Sequence, residues 1–141
     1  MIVLDRIDSA DVESLWPILE PYIRAAIVRG DAAIDPEAVL QKALIGQRML
    51  WSVMQGDALL GVACSGVRHG QKGPTAYVEF VAGQMLHIWM DDALSAFEGH
   101  ARAAGMAVVE TDESRMGWLP ALQAKGYRPV RVVMQKVLAD G

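Results

Sequence analysis

Cysteine is almost missing from this chain: its 141 residues hold one, Cys64, inside the apolar run LLGVACSGV. A lone thiol closes no internal disulfide, and free thiols are habitually buried, so Cys64 is expected in the core. No apolar run reaches 18 residues, so no membrane span is expected. Asp5, Arg6 and Asp8 interrupt any early apolar stretch. No signal peptide is therefore expected, and the location that follows is cytoplasmic. There is no Lys/Arg block either; charges of both signs are interspersed and the net charge is −4. Nucleic-acid binding wants a concentrated basic face, so it is not expected. His69, His87 and His100 are too far apart for a helical metal-ligand pair, and no metal is expected. A Gly-x-Ser-x-Gly nucleophile elbow and a phosphate-binding P-loop are both absent.

What is present suits one globular domain over residues 1–141. Hydrophobic residues make up 52% of the chain, slightly above the usual share, which argues against disorder. A chain of this length buries roughly two thirds of its unfolded surface, enough for a core without staples. There is no internal repeat, linker or low-complexity stretch.

Hydrophobic periodicity gives the order β-α-α-β-β-β-α-β-α-β, an α/β (α+β) domain on a mixed sheet. Residues 1–7 are short, apolar and β-prone. Asp8 or Ser9 can cap the helix that follows, with Val12, Leu15, Trp16, Leu19 and Ile23 on one stripe. Pro17 and Pro21 lack backbone donors, so a kink or two short helices is expected, ending at Gly30 and Asp31. Asp35-Pro36-Glu37 opens a second helix. Strands are expected at 49–54 and 58–67 about a Gln55-Gly56-Asp57 turn, with a flexible loop at 69–74 and a further strand at 75–82. Alternation in that strand places Thr75, Tyr77, Glu79 and Val81 on one face and Ala76, Val78, Phe80 and Ala82 on the other. A long amphipathic helix runs from about Leu86 to Ala104 and stops at Gly105. A strand at 106–111, a helix at 115–125 and a last strand at 127–138 complete the chain.

Two segments carry a family resemblance. ALSAFEGHARAAGM, residues 93–106, is similar to the central helix and fifth strand of the GCN5-related N-acetyltransferase superfamily. GWLPALQAKGYRPV, residues 117–130, resembles that family's final helix and last strand. Trp16-Pro17 and Gly117-Trp118 add a likeness to short phage and prophage acyltransferase-like proteins. The resemblance implies an acyl-CoA N-acyltransferase fold, with the third and fourth strands antiparallel, the fourth and fifth parallel, and the latter pair splaying at Ala82 and Thr111.

The family holds the acyl-CoA pyrophosphate in a Gln/Arg-x-x-Gly-x-Gly/Ala loop after its fourth strand, where glycines let backbone N–H groups approach closely. Here Ile88 and Met90 stand where the small residues belong, and Asp91 and Asp92 follow early in the helix. Val81, Gly83, Gln84 and His87 are what remains as candidate cofactor-binding residues. The position of the family's tyrosine acid is Leu122, and Tyr127 is the nearby alternative. Glu79 is the candidate general base toward an amine. Trp51, Trp89 and Trp118, with Met85, form either a ligand- or partner-binding wall or a core cluster. Glu110, Asp112 and Glu113 form an acidic cluster that either attracts an amine or is solvated, with Arg115 at hand to neutralise it.

The leading expectation is a binding or accessory protein with a degenerate cofactor loop, no cofactor, and an unknown protein partner. The alternative is an active N-acyltransferase that takes acetyl-CoA or another acyl-CoA and a small amine. Self-pairing through an exposed apolar surface, a homo-oligomer, is a third.

Overall fold

The computed structural model describes residues 1–29, 35–112, 118–132 and 134–139. Five strands form one sheet in the order of their sequence: β1 (Ile2–Ile7), β2 (Met49–Gln55), β3 (Ala58–Gly70), β4 (Gly73–Gly83) and β5 (Val108–Thr111). The first four pair antiparallel and β4 pairs β5 in parallel. A parallel neighbour needs a long crossover, and α3 (Leu86–Ala103) supplies it. This is the α+β arrangement expected from the periodicity.

The sheet is a middle layer with a core on each face. On one side α1 (Ser9–Arg29) and α2 (Pro36–Leu44) cover Leu50, Val62, Cys64, Phe80 and Ala82. On the other, α3 covers Leu4, Trp51, Val53, Ala63, Ala76 and Val78. Leu94, Phe97 and Ala101 are buried on the sheet-facing side of α3, while Asp91, Ser95 and Arg102 are exposed, as their spacing requires. Asp35 caps α2 by accepting from the Glu37 N–H at 3.1 Å, with Pro36 in the first helical position. Cys64 is fully buried. No helix among the described residues is long and apolar enough to cross a membrane.

Four expectations need correction. The helix α1 runs unbroken through Pro17 and Pro21, because burial of Val12, Leu19 and Ile23 outweighs the missing donors. The loop at 69–74 is a tight hairpin: His69 pairs with Pro74 and Gly70 with Gly73. Alternation fails in β4, where the ladder shifts register: Cys64 faces Phe80, but Ser65 faces Val78. Glu79 is the extra residue of a β-bulge, which reverses the faces beyond it. Ala76 and Val78 therefore pack under α3, and Phe80 and Ala82 under α1. Lastly, residues 127–132 and 134–139 carry no strand. The last helix, α4, is Leu119–Ala124. Gly30, Asp31, Glu113, Arg115 and Gly117, to which the sequence assigned stop, charge or helix roles, lie outside the described residues.

Candidate functional site: the opening between the fourth and fifth strands

The ladder between β4 and β5 ends at Val78 and Thr111, with one further bond from the Asp112 N–H to the Val78 carbonyl at 2.8 Å. Beyond it β4 runs on to Gly83 paired with β3 and no longer with β5. The strands thus part at Glu79, three residues before the expected Ala82. The ends of parallel strands in open sheets are where such crevices collect ligands.

A cavity of about 50 Å³ lies at this parting. Trp51, Val81, Trp89, Phe97, Trp118 and Leu122 form much of its wall. By this measure one water-sized group takes roughly 10–15 Å³, so the cavity holds a few such groups. Its polar edge is short. Ser65 already accepts from the Trp51 indole N–H at 2.8 Å, and Glu79 and Thr111 complete it. Leu122, at the position where the resemblance places an acid, presents only hydrocarbon there.

Glu79 is engaged elsewhere. Its carboxylate pairs with Arg48 Nε at 3.4 Å and accepts from the Cys64 thiol at 3.6 Å. Burial, and next the Glu79 charge, push the Cys64 thiol well above the usual thiol range, so it stays protonated and unreactive. Tyr127 does not line the cavity. Its hydroxyl donates to Glu98 Oε2 on α3 at 2.6 Å, and burial followed by that bond raises its pKa far above 10.0. A phenol so held is a poor proton donor.

The turn from β4 into α3 is two residues, Gln84 and Met85. Val81 is half-buried against the core, Gly83 is buried, and Gln84 and His87 are exposed. Of these four candidates, Val81 lines the cavity and Gly83, Gln84 and His87 do not. The turn, however, is closed from within. Trp89 is almost fully buried, and its indole N–H donates to the Gln84 carbonyl at 2.8 Å. Its ring lies against Gly83 and Gly61, where an added Cβ would come within 2.9 Å and 2.8 Å of it. Met85, at the helix N-cap, adopts a left-handed conformation (φ 56°, ψ 39°) with no side-chain cap. Such a backbone costs a methionine on the order of 1–2 kcal/mol. Ile88 and Met85 are exposed at the mouth, whereas Met90 packs on the core. Asp91 is paired with Lys125 at 3.2 Å, so its charge is partly met rather than free to repel an anion.

Residues the periodicity did not single out hold the rest of the site. Arg48 meets Glu79. Arg68 lies 4.1 Å from the Tyr77 ring centroid and bonds Glu110 through Nε at 3.2 Å and Asp112 at 3.0 Å. Arg131 reaches Glu110 at 3.1 Å. Glu110 and Asp112 of the acidic cluster are therefore held in an ion-pair network with Arg68 and Arg131. Trp51, Trp89 and Trp118 do form a wall, but as part of the core cluster; Met85 stands outside it. No cluster of potential metal ligands occurs among the described residues.

Comparison with solved structures places this geometry. An aminoglycoside acetyltransferase, meta-AAC0020 from an uncultured soil metagenomic sample, matches with a TM-score of 0.68 over 98% of this chain and 97% of that one, at 13% identity. The fold is that of the GCN5-related N-acetyltransferases. A predicted acetyltransferase from Clostridium acetobutylicum, solved with acetyl-CoA, matches at a TM-score of 0.66 and 14% identity, covering 98% of this chain and 97% of its own. AAC(6')-Iy, solved with a CoA-based bisubstrate analogue, matches at 0.60 and 16% identity, covering 99% of both chains. No family model and no curated protein sequence matches the chain.

Proposed function

We propose that this chain is a binding or accessory protein built on the acetyltransferase fold, and that it does not turn over acyl-CoA. One observation carries the reading: the two-residue Gln84–Met85 turn is closed by the buried Trp89 indole. A diphosphate needs several convergent backbone N–H groups and room for its oxygens. A two-residue turn has few such groups, and its inner side is occupied. No Lys or Arg stands in the turn or the first turns of α3 to supply charge. The residues present therefore do not fit the CoA diphosphate. Glu79 held by Arg48, Tyr127 held by Glu98, and Leu122 in the place of an acid point the same way.

The cavity supplies what binding the domain retains. Its apolar wall suits a short hydrocarbon or aromatic group from a small ligand or a protein side chain. A cytoplasmic location and kinship with phage acyltransferase-like proteins belong to this reading; Trp16-Pro17 and Gly117-Trp118 support the kinship.

Calorimetric titration with acetyl-CoA tests it. The expected result is no saturable heat and no thermal shift at millimolar acetyl-CoA. A ligand that binds only the folded chain adds about 2.7 kcal/mol of stability at a hundredfold excess over Kd. A clear shift would overturn the reading in favour of an active N-acyltransferase, the activity of its structural neighbours. In that case Glu79→Gln should leave binding intact and slow transfer to an amine, because a base acts in the chemical step.

A further inference from the structure

The cavity has one polar feature deep in its wall, on the side that α3 covers. Ser65 is 1% exposed, and its Oγ accepts from the Trp51 indole N–H at 2.8 Å. Trp51 is held in turn by Phe97, edge-on at 5.7 Å, and by His100, with ring centroids 4.9 Å apart. The indole needs only a lone pair. The hydroxyl that offers it brings a proton as well, and no acceptor for that proton occurs among the described residues. Ser65 lines the cavity. A buried donor without a partner is costly, and a ligand atom that accepts from it removes the cost.

The rest of the wall limits what that acceptor can belong to. Ala93, Leu94 and Phe97 of α3, with Val53 and Ala63 of the sheet, present hydrocarbon. Glu79 is the one ionisable residue of the wall, and its carboxylate is spent on Arg48 and Cys64. A charged ligand would enter without a counterion and lose its hydration. An alcohol that accepts from Ser65 leaves its own proton stranded among hydrocarbon. A carbonyl oxygen accepts and has no proton to place. The cavity of about 50 Å³ has room for about four or five non-hydrogen atoms.

We propose that the inner end of this cavity binds a small uncharged carbonyl compound, a short ketone or aldehyde. Its oxygen accepts from Ser65 Oγ, and its carbon skeleton lies against Leu94 and Phe97. The inference deepens the binding reading above and rests on it.

Nitrogen-correlated NMR of the full chain, titrated with butanone, tests it. The Trp51 indole N–H signal, assigned by its loss in Trp51→Phe, should move and saturate with a dissociation constant on the order of 1 mM, as suits so small a ligand. Sec-butanol, of the same shape, should bind roughly five- to tenfold more weakly, and sec-butylamine and butyrate not measurably. Trp51→Phe combined with Ser65→Ala replaces both members of the polar pair by apolar groups, an exchange that stability can tolerate. In that variant, saturation-transfer NMR on the ligand should show the preference for butanone over sec-butanol gone. If the variant does not fold, the ranking of the four probes on the unaltered chain still decides. An indole signal that butanone leaves in place, equal binding of butanone and sec-butanol, or a preference that survives the double substitution overturns the inference. A parallel titration with acetyl-CoA separates this from the reading beneath it. No binding of either compound removes the inference alone, whereas acetyl-CoA that binds and displaces butanone removes both.

Discussion

Gly83 and Gly99 show how differently two glycines act in one domain. A Cβ on Gly83 would stand 2.5 Å from the Leu60 carbonyl oxygen and 2.9 Å from the Trp89 ring. Neither a paired strand nor a buried indole can yield cheaply. Gly83→Ala should destabilise the chain by about 2 kcal/mol or more, the cost of overpacking plus a backbone angle unsuited to L-residues. Gly99 sits inside α3 with nothing within 4 Å of an added Cβ. Gly99→Ala should stabilise by roughly 0.5–1 kcal/mol by removing freedom from the unfolded chain. Urea melts of both variants check the pair; equal shifts of the same sign would refute the packing argument. Gly83 was legible in the sequence as a candidate, but its close packing was not. Its partner Leu60 lies more than twenty residues away, and only the pairing of β3 with β4 brings them together. Tyr127 is a similar case. Its residue type suggested an acid, and its bond to Glu98 across 29 residues was not legible. Folding raises its pKa, so its stabilisation is complete below the unfolded value near 10 and is lost as pH rises through the higher folded value. Tyr127→Phe should therefore flatten the alkaline limb of the stability curve, read by thermal melts between about pH 9 and 11.

Among the elements, α3 was the most legible. Its stripe of Leu94, Phe97 and Ala101 repeats at the helical period, and all three are buried on the sheet side. Phe97 also meets the Trp51 ring edge-on, with centroids 5.7 Å apart. Phe97→Ala should cost about 3–5 kcal/mol, lost burial and a cavity adding together. A denaturant melt with a loss under about 1 kcal/mol would mean that this face is not the core face. Strands were legible by type but not by register. The bulge at Glu79 depends on which β3 residues β4 faces, and alternation within β4 alone cannot reveal it. That single extra residue decides the fate of the candidate base: Glu79 turns to Cys64 and Arg48. The last strand failed for a related reason. The composition of 127–138 is β-prone, but a strand exists only where a neighbour accepts its backbone, and among the described residues 127–132 and 134–138 none is in a strand.

At the scale of the whole molecule, charge ties the C-terminal segment to the sheet. Arg68 from β3 and Arg131 from the segment converge on Glu110 of β5, and both also approach Asp112. These groups come from three stretches of sequence whose proximity no local pattern announced. Hydrogen bonding from Arg68 is the largest influence holding the Glu110 carboxyl below its ordinary 4.5; partial burial opposes it, and Arg131 reinforces it. The sign of the linkage follows. Glu110 binds a proton more weakly when folded, so its stabilising contribution is present above pH 4.5 and is lost as pH falls through the depressed folded value. Glu110→Gln removes both the contribution and its titration. The variant should be less stable than the parent at pH 7, and the gap should close on acidification between roughly pH 5 and 3. Salt should narrow the gap only partly, because the Arg68, Glu110 and Asp112 side chains are a third exposed or less. Chemical denaturation at neutral and acidic pH, with and without 1 M salt as an order-of-magnitude challenge, measures all of this. A gap that stays constant with pH would show that the network does not couple protonation to folding. Arg131→Ala should reproduce a smaller part of the same pH dependence, since Arg68 would still hold the carboxylate.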